Sequence, residues 1–89
     1  QKRQAITILA SRSETVKKNL SLATDMYNRR KDLYAQGYIS HISFLETEQE
    51  VNSLQGELNN ISNESKQARQ AISEYEGRLK SLEATHKDE

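Results

Sequence analysis

The sequence predicts an all-α chain, two long helices folded back to back as an antiparallel coiled-coil hairpin, and three observations predict it. The 89 residues include no proline and only three glycines while 29% of them are charged, a mixture that favours long uninterrupted helices. Apolar residues recur at alternating spacings of three and four, in two separate frames. Between the frames lies Gly37, the residue best suited to ending one helix and turning the chain. Only 34% of the residues are hydrophobic, too few for a compact core of ordinary size, so an extended shape is expected.

The first helix is expected over about residues 1–36. Its seam places Ile6, Ser13, Leu20, Tyr27 and Tyr34 at heptad position a, with Leu9, Val16, Ala23 and Arg30 at d. The turn follows over about 37–40. If Gly37 takes the left-handed conformation after the last helical residue, Tyr38 folds back on Leu33 in the apolar contact that commonly accompanies such a cap. Ser40 is the expected N-cap of the second helix, and Ser43 with Glu46 offers an alternative capping box one turn later.

The second helix, about 41–88, carries the cleaner pattern. Phe44, Val51, Leu58, Ser65, Ile72, Leu79 and His86 stand at a, and Thr47, Leu54, Ile61, Ala68, Tyr75, Leu82 and Glu89 at d. A connection this short forces the helices to run antiparallel. Charge agrees with that pairing: residues 1–36 hold eight Lys/Arg against three Asp/Glu, and residues 37–89 hold five against ten, so a basic helix lies along an acidic one. Exposed ion pairs are individually worth about 0.2–1 kcal/mol, enough to influence register but not to hold the rod together. Folding about residues 38–39 sets residue 1 opposite residue 76 or so. The last dozen residues are then expected to fray, and sequence preceding Gln1 is expected to cover Leu79 and Leu82. The 1–89 segment therefore reads as a single hairpin from a longer protein. Ser13, Ser65, Asn59 and Asn60, on the seam and its flanks, imply modest stability for the segment alone.

Beyond Glu46, every large apolar residue of the second helix sits on the seam, so the outer face of its shaft is polar. Near the turn this changes. Leu22, Met26 and Leu33, with Ile39, Ile42 and Leu45, all lie off the seam, and Arg29 shares a flank with the first three. The spacings of four, three and four among Leu22, Met26, Arg29 and Leu33 make a second stripe, which suggests a protein partner. The blander reading is that some of these residues cover the wide end of the hairpin and that Arg29 is a solvated charge.

The tract Asn28-Arg29-Arg30-Lys31-Asp32-Leu33-Tyr34-Ala35-Gln36-Gly37-Tyr38-Ile39-Ser40 resembles the hairpin tip of periplasmic adaptor proteins, the membrane fusion proteins of the HlyD family. The marker is Arg, three residues, Leu, six residues, Ser, matched by Arg29, Leu33 and Ser40. The residues around 48–58 are similar to the second helix of the type I secretion branch, while the drug-efflux branch of the same family remains an alternative. The resemblance covers essentially the whole chain, as a hairpin only. It implies a hairpin in the periplasm of a Gram-negative bacterium, in a protein anchored in the inner membrane. It implies an inner-membrane transporter as one partner and a TolC-type outer-membrane channel at the tip, with self-association into a ring, usually of six. It assigns the channel contact to Arg29, Leu33 and Ser40; Met26, Tyr38 and Ile39 lie near them in the sequence and are expected to support the contact.

Other classes fare worse. No cofactor and no enzyme activity are expected, because the two histidines, His41 and His86, stand apart from further ligands or nucleophiles, and no phosphate-binding glycine loop is present. Nucleic acid is not an expected partner, since the acidic half is available to neutralise the basic one. A membrane-surface helix needs a broad apolar face, and that of the first helix is claimed by the second. A purely structural coiled-coil spacer accounts for the heptads equally well, but leaves the apolar residues around the turn without a role.

Overall fold

The computed structural model describes the backbone of residues 2–88 and the side chains of residues 3–85. Helix α1 spans Lys2–Ala35 and helix α2 spans His41–Asp88, joined by five residues. At 1.5 Å per residue the helices of 34 and 48 residues run about 51 and about 72 Å. Folded side by side, they make a rod 79 Å long and 15 Å across.

The heptad frames describe the burial. On α1, Leu9 and Val16 are buried, and Ile6, Ser13, Leu20, Ala23, Tyr27 and Arg30 are half-buried, each of them a seam position. On α2, Thr47 and Ile61 are buried and the other seam residues from Phe44 to Ile72 are half-buried. Leu9, Val16 and Ile61 form the central cluster, with Leu54 and Leu58 packed against it. Two helices can enclose only a single file of side chains, which is why so few residues lose all contact with water. The Ser13 and Ser65 layer is too small to fill its share of the seam, and an open groove lies there, lined also by Leu9, Leu58 and Ile61.

Interhelical contacts fix the register. Arg3 pairs with Glu76, Arg12 reaches Glu64 at 3.8 Å, and Arg30 donates to Thr47. These pairs set the first residues of α1 opposite the mid-seventies of α2, as a fold about residues 38–39 requires. The charged groups of the two ion pairs are half exposed or more, so they guide alignment more than they stabilise it.

Past Glu76 the seam has no facing helix among the described residues, and Leu79 and Leu82 are 42% and 59% exposed, with Tyr75 at the edge of the paired region 59% exposed. This stretch belongs to α2, which runs to Asp88. Its composition suits a helix even without a facing partner, since Arg78, Leu79, Lys80, Leu82, Glu83 and Ala84 are strong helix formers. The seam positions assigned to His86 and Glu89 lie outside the residues whose side chains are described.

Candidate functional site

Two hydrogen bonds and one dihedral angle close the end of α1. The Tyr38 N–H donates to the Leu33 carbonyl at 2.9 Å and the Gly37 N–H to the Tyr34 carbonyl at 3.0 Å. Together they are the paired bonds of a Schellman cap. Gly37 has φ of +80°, a conformation that residues with a Cβ rarely adopt. An added Cβ would meet nothing within 4 Å, so glycine is required by the backbone angle and not by space. The expected return of Tyr38 toward Leu33 is therefore made by the backbone, while the Tyr38 residue remains 73% exposed.

Helix α2 opens on Ser40. Its hydroxyl accepts from the Ser43 N–H at 3.1 Å, and its carbonyl accepts the first helical bond, from the Phe44 N–H at 3.2 Å. Both are features of an N-cap, whose side chain satisfies a donor that the helix itself leaves unpaired. Because the helix has begun by His41, Ser43 lies inside its first turn and the Ser43/Glu46 capping box is not used.

Inside the tip, four rings alternate between the helices. Phe44 of α2 lies between two tyrosines of α1, with its ring centre 5.4 Å from Tyr27 at 28° and 5.0 Å from Tyr34 at 9°. His41 continues the column from α2, 5.4 Å from Tyr34. Tyr27 and Tyr34 are seven residues apart, about 10.5 Å along the axis, which is the room one intervening ring needs. Such stacked pairs are worth about 0.5–1.5 kcal/mol each beyond the area they bury.

Beside the column, Arg30 crosses from α1 to α2. Its Nη1 donates to the Thr47 hydroxyl at 2.9 Å and to the Ser43 carbonyl at 3.4 Å, while the Thr47 hydroxyl donates to that carbonyl at 3.1 Å. Thr47 is only 5% exposed, and these bonds satisfy its hydroxyl.

The residues singled out from the sequence divide between the outer flank and the turn. Leu22, Met26 and Leu33 are 69%, 50% and 39% exposed along one flank of α1. Arg29 lies on this flank with its side chain 77% exposed, paired to Asp25 at 3.2 Å one turn away. Ser40 stands across the turn, exposed at the start of α2, and Ile39 beside it is half-buried. On α2, Ile42 and Leu45 are exposed at 69% and 40%. An open, guanidinium-bearing apolar strip of this kind can meet a protein surface, since arginine supplies a rigid fork of donors and the leucines supply area to dehydrate.

Neither the ring column nor the Arg30 contacts follows from the heptad frames, in which Tyr27, Arg30, Tyr34, Phe44 and Thr47 are only separate seam positions. The signal was the crowding of large and polar side chains into consecutive layers next to the turn, where the seam from Ile6 to Ala23 and from Val51 to Ile72 is aliphatic or small.

Among curated proteins and solved structures, nothing matches the chain. A family model does match, over residues 1–89, and its description is AprE, long alpha-helical hairpin. With the fold and the capped turn described above, that match over its whole length makes this chain a member of the AprE long α-helical hairpin family, within the HlyD-like membrane fusion proteins that serve as type I secretion adaptors.

Proposed function

We propose that this hairpin docks by its tip onto a TolC-type outer-membrane channel, and that it thereby bridges the channel to an inner-membrane transporter during type I protein secretion. The observation that carries the reading is the placement of Arg29, Leu33 and Ser40 around a turn whose two ends are both capped, next to a flank of exposed apolar residues. A rigid turn presents those side chains at low entropic cost. Arg29 contacts polar groups on the channel, Leu33 packs against it, Ser40 closes the contact while capping α2, and Met26, Tyr38 and Ile39 border the patch. The family supports an export adaptor over the drug-efflux alternative.

In this reading the hairpin lies in the periplasm and the site needs no cofactor. A single tip of this size binds weakly, and a ring of copies, six in the assembly we propose, gains avidity from simultaneous contacts.

Arg29→Asp in the native protein tests the assignment, with export measured alongside cross-linking from Tyr38→Cys to the channel. Loss of both, with protein level and helicity unchanged, is the expected result. Normal export and cross-linking would remove Arg29 from the contact. A tip that never cross-links, even without the Arg29 substitution, would favour a structural spacer.

A further inference from the structure

We infer that Arg30 and Thr47 form a positioning latch that holds the two sides of the docking tip at a fixed separation and register, an inference that deepens the docking reading and rests on it. Arg29 and Leu33 belong to α1 and Ser40 is the N-cap of α2, so their relative position depends on whatever ties the first turn of α2 to α1. The connection alone does not do so, because caps fix the helix ends and leave the angle between the helices free to vary.

The bonds around Ser43 supply the tie. Its N–H is held by the Ser40 hydroxyl, while its carbonyl receives both the Thr47 hydroxyl and Arg30 Nη1. Arg30 Nη1 also bonds the Thr47 hydroxyl itself, at 2.9 Å. A short path therefore runs from Ser40 through Ser43 to Arg30, the immediate neighbour of Arg29. The Tyr27–Phe44–Tyr34 stack lies next to this path, and its ring contacts across the two helices resist opening of the tip.

A polar side chain at a coiled-coil seam costs stability relative to an aliphatic one, but it selects one alignment because a slipped register strands its hydrogen bonds. An aliphatic seam alone discriminates less sharply between closely related alignments of the two helices. Arg30 lies at a d position where leucine would fit the pattern, and its bonds to Thr47 and to the Ser43 carbonyl exist only in the register seen here. The latch thus trades stability for alignment, and this separates it from an ordinary packing residue.

The test uses Arg30→Leu and Thr47→Val in the native protein, both apolar replacements at seam positions. Three quantities are read: the thermal midpoint, the distance distribution between spin labels at Asp32→Cys and Glu46→Cys, and the yield of the Tyr38→Cys cross-link to the channel. We expect an unchanged or raised midpoint, a broadened or shifted distance distribution and a several-fold lower cross-link yield, with Arg30→Lys recovering part of the yield. Distances unchanged by Arg30→Leu and Thr47→Val would overturn the latch while leaving the docking reading intact. A cross-link loss that only follows a fall in the midpoint would make Arg30 a stabilising residue instead. Narrow distances in the unsubstituted protein with no cross-link to the channel would overturn the docking reading, and with it any positioning role.

Discussion

Along the shaft the two helices meet through aliphatic and small side chains, whereas at the tip they meet through four rings, an arginine and a buried threonine. The shaft layers resemble one another, and a seam of Leu, Val, Ile, Ala and Ser specifies pairing more strongly than alignment, which along the shaft rests on exposed ion pairs such as Arg3–Glu76 and Arg12–Glu64. The tip layers differ from each other and from the shaft. Phe44 has one slot, between Tyr27 and Tyr34, and Arg30 has one partner hydroxyl within reach. Affinity between the helices thus comes mainly from the shaft, while the most specific alignment contacts lie beside the proposed docking residues.

If that division is correct, the largest stability effect should come from the shaft. Ile61 is 1% exposed in the central cluster, and Ile61→Ala should cost about 2–5 kcal/mol. In a rod with so few buried residues, urea titration followed by circular dichroism should register this as loss of most of the cooperative transition. Gly37→Ala comes next, at about 1–2 kcal/mol, because alanine at φ of +80° opposes the left-handed geometry while meeting no neighbour. A loss as large as that of Ile61→Ala in the same titration would reverse the comparison and make the tip the main source of stability.

Ser40→Ala should cost about 1 kcal/mol by releasing the Ser43 N–H. Its use is to sharpen the comparison, since Ser40 also stands in the proposed contact. Channel cross-linking that falls no further than the stability change accounts for would leave Ser40 as a cap alone. The smallest effect is expected at Glu64→Gln, below about 0.5 kcal/mol, because the pair with Arg12 is long and half exposed. Thermal melting of both proteins at high salt should erase even that difference.

Much of this architecture was legible in the residues. The three-four spacing located the seam because a helix buries every third or fourth residue whatever its partner, and Gly37 and Ser40 announced the turn because few residues satisfy those backbone positions so well. The extent of the second helix was legible too, because most of residues 78–84 are strong helix formers whether or not a partner faces them. The ring column and the latch were not legible. Each needs residues from both helices at one level, and Tyr27, Phe44 and Tyr34 become neighbours only once the register is known to within one turn. Of the candidate site, the flank holding Met26, Arg29 and Leu33 followed from helical spacing, while the pairing of Arg29 with Asp25 depends on a rotamer that the sequence does not specify.

The 79 Å length of the rod makes it a lever arm. A tilt of about 5° at the end far from the turn swings the tip by roughly 7 Å, more than the 5.4 Å pitch of one helical turn. Alignment within the tip cannot correct an error of aim introduced at the opposite end. Whatever braces the far end of the rod therefore governs the aim of the tip, and in the docking proposed above small angular changes there would displace it by more than a helical turn.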